Sequence, residues 1–128
     1  MKDFKNTLMA TLGIEIISAD KERIMATMPV NRNTCQIYGM LHGGASLALA
    51  ESVAGYGDAI RIDDTQMAVG INVTANHINP AKMGDTVTAV GKIISEHHSV
   101  HVWNIDITNS AGTLISTVRI SNYITSKK

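Results

Sequence analysis

One segment constrains the fold more than any other: GGASLALAESVAGYGDAI, residues 43–60. Its alanine and leucine content favours a helix, and the segment is too long for a typical strand. Glu51 is the only charged residue from Gly43 to Gly57, so the helix is apolar almost all round. We expect such a helix to be buried, and the rest of the chain must supply the structure that covers it.

Six strand-like segments flank this helix in the sequence, two before it and four after it. Each is rich in β-branched residues and partly alternates between apolar and polar positions. They are residues 12–19, 23–30, 66–78, 85–95, 99–108 and 113–124. We predict hairpin turns at residues 20–22 and 109–112. The order predicts an α+β domain in which a bent antiparallel sheet wraps one side of a long central helix, and a second copy of the chain covers the other side.

Composition limits the class of protein. The 128 residues fit one domain and show no linker or repeat, so we assign residues 1–128 to it. A charged fraction of 17% and a net charge of zero give no electrostatic basis for a nucleic-acid or anionic-membrane partner. The sequence shows neither a signal peptide nor an apolar run long enough to span a membrane. The single cysteine, Cys35, excludes an internal disulfide and favours a cytoplasmic location.

The start of the helix has the features of a catalytic site. Two glycines, Gly43 and Gly44, allow a ligand to approach the backbone closely, directly after His42. The first N–H groups of a helix have no partner within it and lie at the positive end of its dipole, which suits a developing oxyanion. Glu51 is a carboxylate in apolar surroundings, suitable as a base or a nucleophile.

Helix geometry separates these two features. Glu51 lies eight residues after Gly43, or about 12 Å along a helix. A nucleophile and an oxyanion donor must both come within about 3 Å of one carbonyl. If both residues act, Gly43 of one subunit must meet Glu51 of another, with two antiparallel helices across a two-fold axis. The spacing therefore predicts a dimer with two equal sites.

Three stretches resemble one known family: ATMPVNRNTCQIYGMLHGGASLALAESVAGYG, VGINVTANHINPA and VHVWNIDITNSAG. They are similar to hotdog-fold thioesterases of the phenylacetate and 4-hydroxybenzoyl-CoA type, in the branch that hydrolyses 1,4-dihydroxy-2-naphthoyl-CoA and proofreads enterobactin synthesis. The resemblance covers nearly the whole chain. It implies hydrolysis of an acyl-CoA, with 1,4-dihydroxy-2-naphthoyl as the leading acyl group and menaquinone synthesis as the pathway. It also implies a dimer of dimers and no cofactor.

The resemblance implies catalytic roles for four residues. Glu51 is the nucleophile or general base, and the Gly43 N–H polarises the thioester carbonyl. His42 orients the substrate or the leaving group, and Gln36 positions the carbonyl or the attacking water.

It also implies substrate contacts for Ser52 and for His77, which lines the CoA channel. The sequence departs from the pattern at Gly55, where relatives have serine, and at Asn79, where a basic residue is common. Lys82 and His98 are the candidates to replace the missing positive charge.

Each of these residues also has a plainer interpretation. Glu51 can face solvent on an amphipathic helix, His42 can be only a helix cap, and the glycines can serve only packing. His97, His98 and His101 do not share one strand face and lack further ligands, so we expect no metal site. The alternative functions are an enoyl-CoA hydratase or dehydratase of the same fold and a non-catalytic acyl-CoA-binding module.

Overall fold

A computed structural model describes residues 4–127; residues 1–3 and 128, and with them both predicted domain limits, lie outside the described residues. The elements are α1 (Leu8–Leu12), β1 (Glu15–Ala19), β2 (Arg23–Pro29), α2 (Gly43–Ala59), β3 (Gln66–His77), β4 (Thr86–His97), β5 (Val100–Thr108) and β6 (Leu114–Ser126). The six antiparallel strands form one sheet in the order β1-β2-β4-β5-β6-β3, and the long helix α2 packs across it. The predicted α+β arrangement is confirmed.

Local side-chain chemistry fixes both predicted hairpin turns. Asp20 Oδ1 accepts from the backbone N–H groups of Glu22 and Arg23, at 2.8 and 2.9 Å. Asn109 Oδ1 accepts from the N–H groups of Ala111 and Thr113, at 3.0 and 2.9 Å. Such side-chain bonds mimic backbone turns and make Asp and Asn favourable there. Both hairpins could therefore be predicted without knowledge of the rest of the fold.

The predicted strand over residues 12–19 is wrong at its start, because a short helix, α1, occupies Leu8–Leu12. Thr7 caps this helix by accepting from the Ala10 N–H, and Gly13 ends it with a φ of 75°. Glycine adopts that left-handed conformation without the penalty of a side chain. The strand begins only at Glu15, once the chain has passed this turn.

The inner face of α2 forms the core with the sheet. Leu49, Ala50, Val53 and Ala54 are completely buried against it. Gly57 lies on the same face, and a Cβ there would come within 2.3 Å of the Trp103 ring. The helix can therefore approach β5 this closely only because residue 57 has no side chain. Within residues 4–127, no helix has both the length and the hydropathy to cross a membrane.

The outer face of α2 is uncovered in the single chain. Gly44, Glu51 and Ala59 are exposed there, with Ser52 and Gly55 half-buried between them. The prediction that the sheet covers only one side of the helix is thus confirmed. Cover of the outer face by a second copy of the chain stays a prediction, and the small side chains on that face leave room for it.

Candidate active site

His42 caps the N-terminus of α2. Its backbone is extended, and its Nδ1 accepts from the Gly44 N–H at 2.8 Å. An imidazole nitrogen that accepts carries no proton, so in the neutral ring the proton is on Nε2. The plainer interpretation of His42 as a cap is therefore correct as far as it goes. The same bond also leaves an N–H on the exposed side of the ring that can donate to a ligand.

Gly43 lies against His77 of β3. A Cβ at Gly43 would come within 2.7 Å of His77 Nε2, so only glycine permits this contact. His77 Nδ1 is hydrogen-bonded to Ser116 Oγ at 2.7 Å, which fixes the ring against β6. The Gly43 N–H donates a hydrogen bond to no group among residues 4–127. The sequence singled out both residues, but only the fold shows that they touch.

A cavity of about 380 Å³ opens at this end of α2. Four of the predicted site residues line it: Gln36, Gly43, His77 and Asn79. The other lining residues are mainly apolar: Met40, Leu41, Ile78, Pro80 and Ile115, with Ser46 and Ser116. A concave, largely apolar pocket with a few converging polar groups is typical of a ligand site.

Two amide side chains in the cavity are held by the backbone. Gln36 Oε1 accepts from the N–H groups of Tyr38 and Met40 at 2.6 and 3.2 Å, which turns the NH2 end of the amide outward as a donor. Asn79 Nδ2 donates to the Leu114 carbonyl at 2.8 Å. The predicted irregular segment 31–41 therefore has a defined shape that holds Gln36 at the cavity wall.

Glu51 does not line this cavity. Its side chain is exposed on the outer face of α2, and its carboxylate makes no hydrogen bond or ion pair within residues 4–127. It lies against Gly70 of β3, where a Cβ would come within 3.1 Å of Glu51 Oε1. The length of the helix between Gly43 and Glu51 keeps the two residues of one chain apart. One chain therefore does not bring the Glu51 carboxylate to its own Gly43 N–H.

The remaining predicted substrate contacts are spread over the chain. Ser52 Oγ donates to the Ala48 carbonyl at 2.7 Å. Apart from the adjoining backbone of α2, no atom of the described residues lies within 4 Å of a Cβ placed at Gly55. Lys82 is exposed, and its backbone forms an isolated β-bridge with Met40, which lines the cavity. His98 is in the β4–β5 turn with a φ of 51°. That turn is at the far end of the sheet from His77, about 26 Å along β6, so one chain does not bring these two histidines together.

A buried polar cluster at the C-terminal end of α2 was not predicted from the sequence. Asp58 is completely buried, and three side chains donate to its carboxylate. His101 and Trp103 reach Oδ1 at 2.7 and 3.0 Å, and Asn122 reaches Oδ2 at 2.8 Å. A buried carboxylate is tolerable only when such donors replace its water. The sequence signal for this cluster was an aspartate near the end of an apolar helix, together with His101 and Trp103 on one face of a strand.

Arg61 closes this cluster toward solvent. Its guanidinium lies 5.9 Å from the centre of the Trp103 ring and forms an ion pair with Glu96 at 2.7 Å. The hydrogen bond from Arg61 lowers the pKa of the Glu96 carboxyl. Within the described part of the chain, no group of three or more His, Cys, Asp or Glu residues is arranged to hold a metal ion.

Comparison with known proteins defines the class. The sequence profile of the Thioesterase superfamily matches residues 38–116. The chain therefore belongs to this superfamily, and the predicted resemblance to hotdog thioesterases is confirmed. The chain is an acyl-CoA thioester hydrolase.

Individual relatives match over most of their length. ComA2 of Bacillus subtilis, for which an esterase activity is proposed, is 43% identical over 88% of this chain and 90% of its own. The 1,4-dihydroxy-2-naphthoyl-CoA hydrolase of Listeria monocytogenes is 34% identical over 94% of this chain and 98% of its own. A crystal structure of a mutant of thioesterase PA1618 from Pseudomonas aeruginosa superposes with a TM-score of 0.92, at 34% identity, over 96% of this chain and 88% of that one.

Proposed function

We propose that this protein hydrolyses an aromatic acyl-CoA to the free acid and CoA, at a site shared by two subunits. Glu51 of one subunit is the nucleophile or general base. The Gly43 N–H of the other is the oxyanion donor, with His42 and Gln36 orienting the thioester. The observation that carries the proposal is the separation of the cavity, which Gln36 and Gly43 line, from Glu51, which is exposed and has no partner within residues 4–127.

The second subunit has a surface on which to bind. Among the described strands, β3 is an edge strand that pairs only with β6, and Met67, Val69 and Ile71 are exposed on it. An uncovered edge strand with apolar side chains is a template for pairing with another chain. The small residues on the adjacent outer face of α2 permit two helices to approach closely. A two-fold axis here would place each Glu51 near the other subunit's Gly43, and a dimer of dimers is a further expectation.

The chemistry needs little besides these groups. The N–H at the positive end of α2 stabilises negative charge on the carbonyl oxygen, and it does so from a position that folding has already fixed. A thiolate is a good leaving group, so little general-acid help is required. No metal or redox cofactor enters this scheme.

For the acyl group we propose 1,4-dihydroxy-2-naphthoyl, on the basis of relatives with that activity. Menaquinone synthesis is then the pathway. The apolar walls of the cavity suit an aromatic ring. Ser52 and Gly55 would contact the acyl end, and His77, Asn79, Lys82 and His98 the CoA end. We place the reaction in the cytoplasm, because a free Cys35 suits a reducing compartment.

Thiol release over a panel of thioesters tests the activity and the substrate together. The panel contains aryl-CoAs, medium-chain acyl-CoAs and an aryl group on a carrier protein, and hydration of an enoyl-CoA is measured in parallel. We expect kcat/KM for aryl-CoAs to exceed that for medium-chain acyl-CoAs by about tenfold or more. One or two contacts between the cavity and the aromatic ring, at about 1.4 kcal/mol each, are enough for such a preference. Enoyl hydration without thiol release would instead favour the hydratase alternative.

Mixing two inactive variants tests the shared site. Glu51→Gln and Gln36→Ala damage opposite halves of each site, so a mixed dimer retains one intact site. After random exchange of subunits, we expect about one quarter of the wild-type activity, because half of the dimers are mixed and each has one working site of two. Recovery is measured by thiol release after denaturation and joint refolding. Absence of recovery in a mixture shown to contain mixed dimers would contradict the shared site.

A further inference from the structure

The buried Asp58 cluster determines how one side chain beside Glu51 is oriented. Asn122 is 4% exposed, and its Nδ2 donates to Asp58 Oδ2 at 2.8 Å. Asp58 Oδ1 accepts from His101 and Trp103, and Oδ2 accepts from the NH2 group of Asn122, which therefore faces Asp58. The carbonyl oxygen, Oδ1, then faces the opposite way. This orientation follows from the hydrogen bonds and not from the shape of the amide.

That oxygen faces Gly70 of β3, where the missing side chain leaves a small space. Gly70 pairs directly with Asn122 across the strands and begins a β-bulge that ends at Asn72. A Cβ at Gly70 would lie 3.6 Å from Asn122 Oδ1 and 3.1 Å from Glu51 Oε1. Both oxygens therefore border the space that a side chain at residue 70 would fill. Neither accepts a hydrogen bond from any group within residues 4–127.

Two acceptors that border one space cannot bond to each other. A water molecule satisfies both by donating one O–H to each, and its lone pairs then face away from the two acceptors. We propose that Asn122 is a positioning residue that, together with Glu51, holds the hydrolytic water, and that Glu51 acts as a general base and not as a nucleophile. This inference rests on the proposed function, which supplies the thioester at Glu51.

The reaction balances without a covalent enzyme intermediate. Glu51 takes a proton from the water as the water oxygen bonds to the thioester carbonyl carbon. The C–S bond then breaks, and the proton on Glu51 passes to the departing sulfur. The products are the free acid and the CoA thiol, and Glu51 is again ionised. Asn122 keeps its hydrogen bond to Asp58 throughout.

Two variants test this role in different ways. Asn122→Ala removes the acceptor. Asp58→Asn keeps Asn122 but presents an NH2 group to it, so the Asn122 amide reverses and turns its own NH2 toward Glu51. We expect each variant to lower kcat by about 10- to 100-fold, as misplacement of a reacting group by about 1 Å does, with KM changed by less than about threefold. Ser121→Ala, on the opposite face of β6, is the matched control and should keep wild-type kcat.

A competing nucleophile distinguishes a loss of water positioning by Asn122 from a purely structural effect of the substitution. Hydroxylamine needs less activation than water, so the ratio of hydroxamate to free acid should rise in both variants. Circular dichroism and thermal unfolding confirm the fold, and Asp58→Asn serves if Asn122→Ala does not fold. A folded variant with wild-type kcat, an unchanged product ratio, or ¹⁸O from labelled water in Glu51 after single turnovers would overturn the inference. If Glu51→Gln is inactive in the same assays, such a result leaves the proposed function intact.

Discussion

Glu51→Gln is expected to lower kcat for thioester hydrolysis by about 10³-fold, within the range that general acid–base catalysis contributes. Glutamine has the shape of glutamate but cannot take a proton or attack a carbonyl. The fold should not change, because Glu51 is exposed and its carboxylate makes no hydrogen bond within the described chain. The measurement is steady-state thiol release from an aryl-CoA.

Glu22→Gln is the matched control for this variant. Glu22 is also an exposed glutamate, in the β1–β2 turn, and β1 is at the opposite edge of the sheet from β3, against which Glu51 lies. We expect it to keep wild-type kcat and KM. If Glu51→Gln retained near wild-type turnover, Glu51 would not be the catalytic carboxylate, and the proposed mechanism would be wrong.

Asp58→Ala is expected to destabilise the protein by about 3–5 kcal/mol, as the loss of one partner from a buried polar cluster does. The substitution leaves the donors on His101, Trp103 and Asn122 without an acceptor in a region closed to water. For a domain of this size, the loss corresponds to a decrease in Tm of roughly 10–20 °C. Denaturant unfolding at a fixed protomer concentration measures it, because subunit association also contributes to the apparent stability.

Asp106→Ala is the comparison for this variant. Asp106 also accepts two side-chain hydrogen bonds, from Thr117 at 2.7 Å and Asn104 at 3.3 Å, but it is exposed. Water replaces those bonds when the carboxylate is removed, so we expect a loss of less than about 1 kcal/mol. If the two variants were equally stable, the buried Asp58 cluster would contribute no more to the free energy of unfolding than the exposed carboxylate of Asp106 does.

The predicted elements came from patterns confined to short stretches of sequence. The helix predicted at 43–60 spans Gly43–Ala59, and the strand predicted at 66–78 spans Gln66–His77. Each depends on composition and periodicity within the element itself. The short helix α1 was missed because its two caps, Thr7 and Gly13, are weak evidence beside the apolar pattern of the strand that follows.

The sequence by itself determined the helix, its N-terminal His42–Gly43 motif and Glu51 as the only charged residue from Gly43 to Gly57, because these lie within one continuous segment. Only the tertiary structure decided what each of them faces. Gly43 meets His77, and Glu51 meets Gly70, across strand pairings that no local pattern specifies. Asp58 takes donors 43, 45 and 64 residues away. Such contacts depend on the register of distant strands, which is set by the packing of the whole sheet on α2.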